Sequence, residues 1–115
     1  MTIQEFYAVT SSNYDEALKR LMRPDFVKRF ALKYLTDTSF AELTSNLESD
    51  NTEVAFRAAH TMKGVCKNLA FTKLADSASE ITELLRAGNL AAAKDYYPIV
   101  KEDHEMVIDA LSIVE

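Results

Sequence analysis

One histidine of this chain lies among residue types that could handle a phosphoryl group. At about 3.6 residues per turn, a helix over residues 53–70 has an apolar face made of Val54, Ala55, Ala58, Ala59, Met62, Val65, Cys66 and Leu69. The opposite face carries a histidine, two lysines and a glycine, which are His60, Lys63, Lys67 and Gly64. The imidazole is therefore predicted to face solvent. Near neutral pH an exposed imidazole has an unprotonated ring nitrogen that can act as a nucleophile.

The residues that follow the histidine favour the same chemistry. Lys63 and Lys67 come one and two helical turns after His60, within reach of phosphate oxygens whose negative charge they would offset. Gly64 lies on the next turn, where a glycine in an exposed helix interior costs about 1 kcal/mol relative to alanine. We expect a functional reason for this glycine, namely the close approach of a partner's loops.

A second group of residues is predicted to contact a partner. Phe56 precedes His60 by one turn, and Arg57 and Asn68 lie beside it on the outward half of the helix. An exposed aromatic side chain next to a reactive group is typical of a docking surface. Packing of Phe56 at the edge of the core is an equal alternative. His104 falls within an apolar seam, so we expect it to be structural rather than a second phosphoacceptor.

Composition limits the class of protein. The chain has 115 residues, which suits a single domain over residues 1–115, and its two glycines and two prolines favour an all-α fold. The net charge of -5 argues against nucleic acid as a partner. The single cysteine, Cys66, is expected to be a small buried residue. No apolar run approaches the roughly 20 residues of a membrane span, and no signal peptide is evident, so we expect a cytoplasmic protein without membrane contact.

Capping signals divide the chain into helices. Thr2 with Glu5 has the spacing of a capping box, and Gly88 is placed to end a helix. The predicted helix starts are Thr2, Ser12, Pro24, Asp50, Thr72 and Asn89. The polar cluster from Thr36 to Ser39 predicts a break or a kink, and the sequence leaves both open.

The last predicted helix has a seam of residues at alternating spacings of four and three. Its members are Ala93, Tyr97, Val100, His104, Val107, Leu111 and Val114. Pro98 lies within this helix and should kink or restart it. Together the segments predict an antiparallel up-and-down four-helix bundle over about residues 24–115, preceded by short N-terminal helices over about residues 2–22.

The segment from Ala58 to Ala70 resembles the signature of histidine-containing phosphotransfer (HPt) domains. That signature has a histidine, an apolar residue two positions later, then Lys-Gly, and Leu-Gly about five residues further on. The resemblance extends to the segment Asp15 to Leu21 and to the turn from Ala87 to Asn89. The chain departs from the signature at Ala70, where the family usually has glycine, and this departure concerns the helix end more than the chemistry.

The resemblance implies a phosphorelay intermediate. His60 would take a phosphoryl group from an aspartyl phosphate on a response-regulator receiver domain and pass it to another receiver. The expected partners are receiver domains and a hybrid histidine kinase, and the expected state is a monomer. The chain is expected to need no cofactor of its own, because the receiver would bring Mg²⁺ and an acidic pocket. It would be a phosphocarrier and not an enzyme.

A helical chain of this size could serve three other functions. A di-metal bundle uses Glu-x-x-His pairs, but Arg57 and Lys101 stand three residues before the two histidines, so this site lacks its ligands. A histidine-kinase dimerisation helix normally has an acidic residue after its histidine, where this chain has Thr61, and the chain has no glycine-rich nucleotide loop. A helical protein–protein interaction module without phosphotransfer, pairing through the last seam, remains the alternative.

Overall fold

A computed structural model describes all residues, 1–115, as helices and their connections with no β-strand. The predicted all-α class is confirmed. The α-helices are α1 (Ile3–Val9), α2 (Tyr14–Leu21), α3 (Pro24–Lys33), α4 (Ser39–Glu48), α5 (Thr52–Asn68), α6 (Thr72–Arg86) and α7 (Leu90–Leu111). No helix combines the length and the apolar composition that crossing a membrane requires.

Four helices surround the main core. α5 packs against both α4 and α6, α6 packs against α7, and α7 also contacts α4. Each of these helices buries an apolar stripe in one continuous hydrophobic cluster. Short connections between consecutive helices are typical of antiparallel neighbours, and the up-and-down order of the bundle stays a prediction.

The two short N-terminal helices close the end of the bundle where α5 leads into α6. The ring of Phe6 packs edge-on against that of Phe71, with centroids 5.4 Å apart. The hydroxyl of Tyr7 donates to the Leu69 carbonyl at 2.8 Å, and the Asn13 amide donates to the Ala70 carbonyl at 2.9 Å. These bonds satisfy carbonyl groups that the end of α5 would otherwise leave without partners.

Several predicted helix starts are confirmed. Thr2 and Glu5 form a reciprocal capping box, Pro24 occupies the first turn of α3, and the Asn89 side chain accepts from the Ala92 amide at 3.1 Å.

Two predicted caps were wrong by one residue. Asn13 caps α2 in place of Ser12, and Asn51 caps α5 in place of Asp50. Asp50 cannot cap α5 because it adopts φ 58, the left-handed conformation that ends α4. The hydroxyl of Ser12 hydrogen-bonds that of Thr10 instead.

The polar cluster after α3 breaks the helix. A 3₁₀ turn over Tyr34–Thr36 follows α3, and Asp37 then adopts an extended conformation before α4 begins at Ser39. The Asp37 carboxylate accepts hydrogen bonds from both the amide and the hydroxyl of Ser39. This local bonding competes with the helical hydrogen bonds and changes the direction of the chain.

Pro98 does not restart the last helix. α7 runs as one segment from Leu90 to Leu111 with Pro98 inside it. Proline has no amide proton, so α7 lacks one helical hydrogen bond at this position. Pro98 lies on the exposed side of the helix. The seam predicted for this helix is confirmed, since Val100, Val107 and Leu111 are buried.

The two polar groups predicted to be structural lie inside the fold. Cys66 is buried, and burial raises the pKa of its thiol to about 12, so it is an inert core residue as predicted. His104 is half-buried; its Nδ1 hydrogen-bonds the Tyr34 hydroxyl at 2.8 Å, and its ring stacks on Phe40 with centroids 3.9 Å apart. Burial lowers the pKa of His104 to about 4, so the imidazole is neutral near pH 7 and shares one hydrogen bond with the Tyr34 hydroxyl.

The two glycines of the chain should respond oppositely to alanine. Gly88 ends α6 with φ +74, a conformation that a Cβ destabilises, so Gly88→Ala should lower the free energy of unfolding by about 1 kcal/mol. Gly64 lies inside α5, and a Cβ there would meet no atom within 4 Å. Gly64→Ala should therefore raise the free energy of unfolding by about 1 kcal/mol. Urea denaturation of both variants measures these changes, and changes of equal sign would contradict the assignment.

The half-buried position of His104 predicts how stability depends on pH. The folded protein holds this imidazole with a pKa of about 4, against 6.5 for the free side chain. The contribution of His104 to stability should therefore be fully present above pH 6.5 and decline as the pH falls toward 4, because the unfolded chain takes up the proton first. His104→Asn keeps a group that can hydrogen-bond Tyr34 but cannot be protonated in this range, so its free energy of unfolding should fall less steeply with pH. Urea denaturation across this range compares the two, and parallel curves would refute the prediction.

Candidate functional site

His60 projects into solvent from α5. Its side chain is exposed, while the opposite face of the helix buries small residues and one methionine, which are Ala55, Ala58, Ala59, Met62 and Cys66. The predicted outward orientation is confirmed. Of the two histidines, only His104 hydrogen-bonds within the chain, so the ring nitrogens of His60 are open to an incoming group.

The helix that carries His60 is fixed at both ends. The Asn51 side chain accepts from the Val54 amide at 3.2 Å and caps the start of α5. At the other end Ala70 adopts φ 56, its amide donates to the Lys67 carbonyl at 3.1 Å, and the Phe71 amide donates to the Cys66 carbonyl at 2.9 Å. This is a Schellman motif formed without the usual glycine. The departure at Ala70 therefore leaves the cap geometry intact.

Two lysines lie on the same face as His60. Lys63 is half-buried and Lys67 is exposed. All ion pairs of the chain involve other cations, so neither ammonium group is neutralised by a carboxylate of the chain. Because they follow His60 by one and two turns, both can approach an anionic group bound at the imidazole.

The surface beside His60 is open above Gly64. Gly64 is exposed, and a Cβ built on it has nothing within 4 Å. Packing within the chain therefore gives no reason for a glycine at this position, although it weakens the helix. A molecule that approaches His60 can come close to the backbone of α5 here.

The remaining predicted site residues have different surroundings. Arg57 is exposed, and its guanidinium lies 3.9 Å from the Glu53 carboxylate. Asn68 is exposed on the His60 face, two turns further along α5. Phe56 is half-buried and packs against the hydrophobic core, yet its ring also stacks on that of His60, with centroids 5.9 Å apart. The predicted packing of Phe56 at the edge of the core is confirmed, and its docking role stays a prediction.

Sequence reasoning missed one residue of the site. Arg86, in the last turn of α6, places its guanidinium carbon 4.9 Å from the centre of the Phe56 ring. No local pattern pointed to it, because only the packing of α6 on α5 brings the two residues together. No group of three or more histidine, cysteine, aspartate or glutamate side chains is arranged to hold a metal ion.

An all-α bundle that presents one histidine and two unpaired lysines on an exposed helix face has the make-up of a phosphotransfer module. Residues 35–110, well over half of the chain, match the family model described as Hpt domain, and the chain belongs to this family. No curated protein and no solved structure matches the chain.

Membership of the family gives the general function of the chain. Hpt domains are phosphotransfer modules in two-component signalling that carry a phosphoryl group without acting as catalysts, and they interact with response-regulator receiver domains and kinases. The match begins after α3, so α1, α2 and α3 lie outside it.

Proposed function

We propose that His60 accepts a phosphoryl group from the aspartyl phosphate of one receiver domain and passes it to the aspartate of another. The unprotonated ring nitrogen attacks phosphorus, the bond from phosphorus to the aspartyl oxygen breaks, and aspartate leaves as a carboxylate. The second ring nitrogen keeps its proton. Transfer to the next receiver is the same step in reverse, so the direction of flow follows the populations of the phosphorylated partners.

The observation that carries this proposal is the exposed imidazole of His60 on a helix fixed at both ends, with open space beside it over Gly64. Transfer between two proteins needs the nucleophile and the phosphorus in contact and in line. A helix fixed at both ends keeps the backbone of His60 at a constant position relative to the rest of the bundle. The clear approach over Gly64 lets the loops around the receiver's aspartate reach it.

Lys63 and Lys67 are proposed to stabilise the phosphoryl group. The group carries negative charge throughout transfer, and ammonium groups on the same helix face lower the energy of that charge. Their freedom from ion pairs within the chain supports this role. The receiver is proposed to supply Mg²⁺ and its acidic pocket, so this chain needs no cofactor of its own. Arg57, Gly64 and Asn68 are proposed to contact the receiver.

We further propose that the carrier is monomeric and acts in the cytoplasm, without kinase activity of its own. The seam of α7 that could pair two chains is buried against its own bundle at Val100, Val107 and Leu111. This burial favours a relay domain over the alternative of a coiled-coil interaction module.

Replacement of His60 tests the phosphoacceptor directly. When the chain is incubated with a receiver charged by labelled acetyl phosphate, it should gain an acid-labile, alkali-stable phosphate. His60→Gln should gain none, whereas His104→Asn should be labelled as the parent is, because His104 is packed against Phe40 and Tyr34. Labelling of His60→Gln at the parent level would refute the assignment.

Closing the space over Gly64 tests the docking geometry. Gly64→Leu should keep the helical content and oligomeric state of the parent, since nothing in the chain lies within 4 Å of a Cβ there. It should slow transfer from a receiver by at least about tenfold, which corresponds to about 1.4 kcal/mol. Gly64→Ala is the matched control, and its transfer rate should fall less than that of Gly64→Leu. Rapid-quench kinetics measures the rates, and normal transfer by Gly64→Leu would show that no partner approaches there.

A further inference from the structure

The ring of Phe56 lies against the imidazole of His60. The ring centroids are 5.9 Å apart and the ring planes are inclined by 25°, which is an offset-stacked arrangement. Phe56 precedes His60 by four residues, so the two side chains occupy neighbouring turns of α5. The imidazole is therefore exposed to solvent but supported on one side by a second ring.

Phe56 is itself held in place from two directions. Its half-buried side chain packs against the hydrophobic core. From α6, the guanidinium carbon of Arg86 lies 4.9 Å from the centre of the phenyl ring, within the range of a cation–π contact. Arg86 Nε in turn donates to Glu83 Oε2 at 3.1 Å. The phenyl ring thus contacts the core, Arg86 and His60, and it links His60 to the end of α6.

The His60 ring makes no hydrogen bond within the chain; of the two histidine side chains, only that of His104 makes one. An exposed imidazole without an orienting partner samples several rotamers. Only a rotamer that points a ring nitrogen at the incoming phosphorus is productive. A packed neighbouring ring restricts the rotamers and leaves both ring nitrogens free.

We propose that Phe56 is a positioning residue for phosphoryl transfer. Its ring holds the imidazole of His60 in the orientation that presents a ring nitrogen to the donor, and Arg86 holds the ring of Phe56. The proposal rests on the proposed function of His60. It replaces the docking role expected for Phe56 with one that acts through the imidazole and needs no contact with the partner.

The first test measures the orientation of His60 without any phosphotransfer. In NMR spectra of the full chain, ring protons of Phe56 and His60 should show mutual NOEs, and the His60 side chain should populate one dominant χ1 rotamer. Phe56→Leu keeps an apolar side chain on the core and should lose this preference, whereas Phe56→Tyr should retain it. Equal rotamer populations in the parent and Phe56→Leu would overturn the proposal, and so would missing NOEs in the parent.

The second test uses phosphoramidate, a small donor that has no docking surface. Attack by the ring nitrogen of His60 breaks the P–N bond and releases ammonia. Phe56→Leu should be phosphorylated about threefold to tenfold more slowly, the range expected for loss of an aromatic pair, and Phe56→Tyr should match the parent. Slowing of Phe56→Leu only with a receiver as donor would make Phe56 a docking residue and overturn the proposal.

Arg86→Gln gives an independent variant that leaves the Phe56 ring in place. It should shift the His60 rotamers and slow the phosphoramidate reaction in the same direction, by less than Phe56→Leu. If Phe56→Leu does not fold, this variant and the NOEs of the parent decide the question. The two proposals fail separately: no label on His60 from any receiver refutes the relay, whereas unchanged rotamers and rates in these variants refute positioning alone.

Discussion

The packing of α5 between α4 and α6 is the constraint on which the site depends. The buried face of α5 consists mostly of small side chains, among them Ala55, Ala59 and Cys66, each fully inaccessible to solvent. Small residues let the flanking helices come close on both sides, and close packing fixes the rotation of a helix about its axis. A rotation of α5 by one residue would carry His60 toward a neighbouring helix. The exposure of the imidazole is thus a consequence of which residues are buried.

The helix ends reinforce this arrangement at some energetic cost. Ser11, Met22, Asp50 and Ala70 all adopt positive φ, which is unfavourable for residues with a Cβ by roughly 1–2 kcal/mol each. The Schellman bonds at Ala70 and the bonds from Tyr7 and Asn13 offset the cost at the end of α5. The result is a sharp turn that sends α6 back along α5, so that Arg86 reaches the ring of Phe56.

The two histidines show how the surroundings decide the use of one side chain. His104 is half-buried, hydrogen-bonded by Tyr34 and stacked on Phe40, and burial lowers its pKa to about 4. Its Nδ1 is engaged in that hydrogen bond and one face of its ring is covered by Phe40. His60 also contacts an aromatic ring, but it does so at the surface, with no hydrogen bond within the chain. One imidazole stabilises the fold, and the other is free to react.

Local patterns in the sequence were sufficient to predict the all-α class, the outward orientation of His60, the burial of Cys66 and the structural role of His104. Helical periodicity is a property of neighbouring residues, so it can be recognised without knowledge of the rest of the fold. The cap positions Asn13 and Asn51, the break before Ser39 and the uninterrupted helix at Pro98 needed the structure, because competing local hydrogen bonds and packing decide among similar candidates. The contact of Arg86 with Phe56, and hence the support beneath His60, depends on the docking of two helices. Their residues are 30 positions apart in the sequence, and only tertiary packing brings them together.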